Sequence, residues 1–154
     1  MKFSAREDIE APIEKVYARV TDFSTFERQM LRRGAEVRRV DAGQPVRVGS
    51  AWDVAFTFRS RDRRVMATVT RLDAPTDLVI ALASSGLNGV TTIELVPLSP
   101  QRTRLAISVE LSAKSLSARL LLQSLKLAKS NLSNRFKQRV ADFAAGIAPP
   151  PRAS

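Results

Sequence analysis

Thr103-Arg104-Leu105-Ala106-Ile107-Ser108-Val109-Glu110-Leu111 alternates along its length, and a few residues later the pattern changes period. Thr103, Leu105, Ile107, Val109 and Leu111 fall on one side, with Arg104, Ala106, Ser108 and Glu110 on the other, as in a half-buried strand. Beyond Ser112 or Ser115, either of which can cap a helix, Leu121, Leu125, Ala128, Leu132, Phe136, Val140 and Phe143 advance by three or four. Arg119, Gln123, Lys126, Ser130 and Lys137 trace the opposite side. No Gly or Pro interrupts Ala113 to Ala145, and Gly146 with Pro149-Pro150-Pro151 closes the segment. The expectation is one amphipathic helix, roughly 45–50 Å long at 1.5 Å per residue. A strand that leads into such a helix calls for a sheet that buries the helix's apolar side.

That sheet is legible further back. From Ala35 to Leu111 the period is two, with breaks at Gly43 to Gly49, Ser60 to Asp62, Ala74 to Thr76, Ser84 to Gly89 and Pro97 to Gln101, which gives six strands. The connections are hairpin-sized, so the strands run antiparallel as a meander. Lys2 to Glu10 adds another strand, in which Phe3, Ala5 and Ile9 share a side with the misfit Glu7. Pro12 and Glu14 open a short helix that closes at Thr21-Asp22. Ser24-Thr25-Phe26-Glu27 has capping-box form and predicts a second short helix to about Arg32.

At 154 residues the chain is one domain's worth of sequence. It contains no His and no Cys, which excludes imidazole acid/base pairs, thiolate nucleophiles, disulfides and Cys/His metal sites. No cofactor, metal or catalytic residue is expected. The formal charge is +10, and 19 of the 25 basic residues are arginine, which makes an anionic partner reasonable without deciding which. The charged N-terminal residues lack the apolar stretch of a secretory signal, and no apolar run approaches the ~20 residues of a membrane span. A cytoplasmic location is expected.

The order of elements and the residues Ile9-Glu10-Ala11-Pro12-Ile13-Glu14-Lys15-Val16-Tyr17-Ala18-Arg19-Val20-Thr21-Asp22-Phe23 resemble the polyketide cyclase/START-like (SRPBCC, Bet v 1-like) superfamily. Gly49-Ser50-Ala51-Trp52-Asp53-Val54 and Gln101-Arg102-Thr103-Arg104-Leu105 are similar to its central and last strands. The chain departs from the common pattern at Phe26-Glu27-Arg28-Gln29-Met30, where many members carry a Pro and a Trp. The resemblance implies an α+β helix-grip fold: a curved antiparallel sheet of about seven strands wrapped around a long C-terminal helix, with two short helices after the first strand. It covers residues 1–147 as one domain, and the Pro-rich tail 148–154 is expected to be disordered. Members include lipid carriers, ubiquinone-binding proteins and aromatase/cyclases.

Within that fold, Trp52, Val54, Phe56 and Phe58 on one strand face, with Leu121, Leu125, Leu132 and Phe136 on the helix, are the candidate lining of a hydrophobic ligand cavity. Plain core packing explains the same row. Glu7 with Arg135 or Arg139 is the candidate polar pair inside it, against the alternative of a rim pair whose arginine reaches water. Arg59, Arg61, Arg63 and Arg64 form a basic hairpin tip suited to phosphates of lipid heads or RNA, or simply to solvent. Leu116, Leu120 and Leu127 exceed one apolar stripe, leaving a face for a dimer, a membrane or a broader sheet contact.

Three functions remain open on these residues. The first is binding or carriage of a lipid, quinone or polyketide-like molecule without catalysis, with an anionic membrane surface as a further partner. The second is a cyclase/dehydratase-type enzyme, which needs an inward carboxylate or Arg/Tyr couple, with Glu7 and Tyr17 the inward titratable groups besides arginine. The third is association with RNA or the ribosome.

Overall fold

The structure, a computed structural model, describes residues 1–149. The elements run β1 (Lys2–Ile9), α1 (Ile13–Val20), α2 (Phe23–Arg32), β2 (Glu36–Arg39), β3 (Ala51–Phe58), β4 (Arg61–Asp73), β5 (Asp77–Ser84), β6 (Leu87–Ser99), β7 (Arg102–Ala113), α3 (Leu116–Leu127) and α4 (Lys129–Ile147). All seven strands form one antiparallel sheet in the order β1-β7-β6-β5-β4-β3-β2, so the first strand closes against the last. Register shifts at Val69/Arg71 in β4 and at Pro97/Ser99 in β6 mark bulges, which bend long strands. The result is the curved sheet and C-terminal helix of the helix-grip fold. Of the tail, Ala148 packs against the core, and residues 150–154 lie outside the described residues.

One end of the molecule is dry. Ile9, Val16, Val20, Leu78, Leu95 and Leu105 from the strands and α1 cluster with Val140, Ala144 and Ile147 of α4. Buried Thr103 donates its hydroxyl to the Ala11 carbonyl at 2.8 Å, which ties the link between β1 and α1 to β7. Arg19 of α1 donates to the Gly146 carbonyl at 3.2 Å, placing a cation at the end of α4 where the helix dipole is negative.

Two local expectations are corrected. The C-terminal helix is not continuous: Ala128 has φ −103° and ψ 13°, and its N–H bonds back three residues to Leu125 at 3.0 Å. The following Ser130-Asn131 and Ser133-Asn134 pairs are weak helix formers whose side chains compete for the backbone, and α4 restarts there with its own phase. The N-cap of α2 is Asp22, which accepts from the Thr25 N–H at 3.4 Å and hydroxyl at 2.7 Å. Glu27 is thereby freed from a capping box and turns to the sheet. The caps of the C-terminal helix agree better, with Ser115 accepting from the Ala118 N–H at 3.1 Å. Gly86 lies so close to that cap that a Cβ would sit 2.5 Å from Ser115 Oγ, so the β5–β6 turn admits no side chain there.

Asp41 organises the loop between β2 and β3. Its carboxylate takes both Arg39 nitrogens at 3.2 and 3.3 Å, the hydroxyl of fully buried Ser50 at 2.8 Å and the Ala51 N–H at 3.4 Å. The Arg39 and Ser50 bonds hold its pKa down to about 2. A carboxyl depressed in the folded state contributes stability that is complete above the unfolded range of about 4 and is lost as pH falls through about 2. Urea midpoints measured across that window should therefore fall more steeply for the native chain than for Asp41→Asn, and parallel curves would remove Asp41 from this role.

Candidate functional site

Strand alternation puts Trp52, Val54, Phe56 and Phe58 on the concave face of β3, and the structure grades them from core to solvent. Trp52 is 5% exposed and lies under α2, its ring 5.0 Å from Phe23 and 5.7 Å from the Arg39 guanidinium, its Nε1 donating to Glu27 at 2.5 Å. It is committed to the core. Val54 is half-buried against that core, Phe56 is half-buried beyond it, and Phe58 is 37% exposed at the hairpin end.

The register carries this gradient across the sheet. Val54 stands opposite Val65, and Leu82 of β5 opposite Gly89 of β6, which in turn faces Leu111 of β7. Phe56, Leu82 and Leu111 are half-buried and lie outside the dry cluster, as do Leu121 and Leu125 of α3. The main packing of α3 is against β7 and α4, whereas α4 packs along β1. The concave face between β3 and α3 therefore carries a strip of half-buried apolar side chains, the groove, that runs from the sealed α1 end toward the β3–β4 hairpin. Of the helix residues expected to line it, Leu132 is half-buried, and Phe136 stacks 6.2 Å from Phe3 at the core's edge.

The four tip arginines separate. Arg64 points to the outer face, where Asp53 holds it at 3.1 Å. Arg59 reaches the Ser124 hydroxyl of α3 and lies 5.4 Å over the Phe58 ring. Half-buried Arg63 covers the same ring at 5.7 Å, and Arg61 is exposed. The turn itself, Arg59-Ser60, has φ 53° and 61°, the left-handed pair of a two-residue hairpin that normally takes Asn-Gly. The tip is thus part of the groove's rim. Sequence reasoning treated rim and lining as separate features because Ser124, sixty-five positions away, carries no signal of the contact.

Glu7 is half-buried on the concave side of β1, opposite Leu105. The expected Glu7–Arg pair does not form among the described residues, because Arg135 and Arg139 are both exposed. Phe136, Val140, Phe143 and Ala144 face inward, and Arg135 and Arg139, each one residue before Phe136 and Val140, sit about 100° to the side. Burial and the nearby Asp73 charge push the Tyr17 hydroxyl above its ordinary pKa. A separate open depression of about 630 Å³ overlies β1, β7 and β6, where small Ser4, Ala106 and Ser108 lie between longer Lys2, Arg6 and Glu94. It is polar and borders the edge strand, unlike the groove.

Curved sheet and C-terminal helix together define a helix-grip protein. Over residues 1–147 the sequence matches the family described as polyketide cyclase / dehydrase and lipid transport, and the chain belongs to it. The protein TTHA0849 of Thermus thermophilus superposes with a TM-score of 0.67 at 13% identity, covering 96% of this chain and 97% of that one. Zhui aromatase/cyclase from Streptomyces sp. R1128 gives 0.63 at 14% identity, with 96% and 91% covered. A START superfamily protein from Mycobacterium smegmatis gives 0.52 at 17%, with 89% and 97% covered. At these identities the likeness fixes the fold alone. No curated protein matches the sequence.

Lining and core make different demands on stability. Leu105 is fully buried, so Leu105→Ala should cost about 2–5 kcal/mol. Half-exposed Leu125 loses fewer contacts, and Leu125→Ala should cost about 1 kcal/mol. Equal losses in denaturant titration would place Leu125 in the core and close the groove.

Proposed function

We propose that this protein binds or carries a hydrophobic small molecule, of lipid, quinone or polyketide-like type, between the concave sheet and α3, without catalysing its conversion. The observation that supports this reading is the set of half-buried apolar side chains, Phe56, Leu82, Leu111, Leu121 and Leu125, that lie outside the dry core. Apolar surface facing a sheltered groove gains on contact with an apolar ligand, at about 25 cal/mol per Å² removed from water. The cyclase reading draws on the family description, but Glu7 has no ion-pair partner among the described residues to make a converging acid/base couple. RNA association draws on net charge and on the basic hairpin tip.

An environment-sensitive fluorescent lipid should bind saturably to the native chain. Phe56→Arg sets a second guanidinium opposite Arg63 and should lower affinity at least tenfold while shifting the unfolding midpoint little. No saturable binding to the native chain would end the reading.

A second reading, contact with an anionic bilayer, is favoured by the outer face of α3. Leu116, Leu120 and Leu127 are 73%, 58% and 92% exposed and fall within about 40° of one another on the helix. Between Glu110 and Asp142 the chain carries seven cations and no carboxylate. An apolar stripe flanked by cations suits an interfacial helix on acidic lipid. Sedimentation with phosphatidylglycerol vesicles should exceed that with phosphatidylcholine vesicles and should fall several-fold in Leu120→Gln/Leu127→Gln; equal sedimentation with both lipids would refute it.

A further inference from the structure

The groove's chemistry does not end at its apolar lining. In the β3–β4 register Arg63 stands opposite Phe56 and Arg61 opposite Phe58, so both rise from the concave face in line with the aromatic row. Asp62 between them is on the other face, where it accepts from the Thr57 hydroxyl at 3.1 Å. Arg63 spends its Nε on the Phe58 carbonyl at 3.4 Å, and its guanidinium lies over the Phe58 ring. Neither Arg61 nor Arg63 has a carboxylate partner among the described residues, and of the described arginines without one Arg63 alone is half-buried. A half-buried guanidinium beside apolar groups, with fork nitrogens unspent, is complementary to an anion presented from the groove.

We propose that the groove takes a single-chain amphiphile with an anionic head, of the long-chain carboxylate class. The carboxylate sits on the forks of Arg61 and Arg63, and the chain runs inward past Phe56 toward Leu82 and Leu111. The contact from Arg59 to Ser124 joins the tip to α3 and brackets the head from the far side. The left-handed backbone at Arg59 and Ser60 turns the hairpin tightly enough to hold Arg59 and Arg63 over one exposed ring, with Arg61 opposite it in register. This rests on the binding reading above and gives its ligand a charge and an orientation.

The test uses cis-parinaric acid and its methyl ester, two fluorescent chains that differ in charge at one end, titrated below their micellar concentrations into the full-length protein. The acid should bind the native chain about tenfold more tightly than the ester, with the advantage shrinking as salt rises. Arg63→Met keeps the apolar stem, and Arg61→Gln changes an exposed side chain, so both variants should fold. Each should reduce acid affinity while leaving ester affinity within twofold of native. Equal binding of acid and ester to the native chain, or equal weakening of both in the variants, overturns the proposal and leaves hydrophobic binding intact. Binding of neither probe overturns the underlying reading as well. Variants that lose sedimentation with phosphatidylglycerol vesicles yet keep the acid-over-ester preference would assign the arginines to a bilayer surface and overturn the head-group role.

Discussion

The packing of Val140, Ala144 and Ile147 in one cluster with Ile9, Val16 and Leu105 seals the α1 end of the curved sheet, and the remaining structure follows from what that seal leaves uncovered. A seven-stranded concave face is wider than one helix can fill, since a helix with its side chains is about 10–12 Å across and strands stand about 4.8 Å apart. α4 spends itself on β1 and the core, and α3, which ends at Ala128, leans on β7. The concave surfaces of β3, β4 and β5 toward the hairpin tip are left with half-buried side chains. The groove is a consequence of coverage, not of a dedicated element.

Polar groups fix the covered part. Thr103 on the Ala11 carbonyl and Glu27 on Trp52 join segments distant in sequence, and Asp41 on Arg39 and Ser50 ties the β2–β3 loop together. They are effective because few solvent contacts compete with them, and an orphaned partner would carry its desolvation cost. Trp52 shows the effect on function most directly. Its Nε1 needs an acceptor when buried, α2 supplies Glu27, and the ring that begins the aromatic row is withdrawn from the groove.

Fold and site were legible to different degrees for one reason, the range of the interactions involved. The alternation from Thr103 to Leu111 and the helical period beyond it are local patterns, and the strand count and order follow from them. Ser115 as a cap is local too. The break at Ala128 was not legible, because it needs no Gly or Pro, only a run of Ser and Asn that disfavours helix weakly. Placing Arg135 and Arg139 beside Glu7 failed for a different reason: each stands one residue, about 100°, from the inward Phe136 and Val140, and that step is enough to turn it to solvent. The union of the arginine tip with the aromatic row depends on the β3–β4 register and on Ser124, and neither leaves a local pattern.

Charge distribution closes the argument about what the groove can accept. Carboxylates are spent in pairs on the outer face and at the turns: Asp8 and Glu10 on Arg102, Asp8 also on Arg104, Asp73 and Asp77 on Arg71, Asp53 on Arg38 and Arg64. The side chains around the open end differ. α3 has no acid at all, and the tip's single carboxylate, Asp62, faces away. The hairpin tip and α3 are therefore cationic where apolar surface is also uncovered. Uncovered apolar surface costs stability in water, and clustered cations repel one another, so each feature alone would weaken the fold. An amphiphilic anion relieves both at once: its chain covers the groove while its head neutralises the rim. A neutral hydrophobe would relieve only the first, and a free inorganic anion only the second.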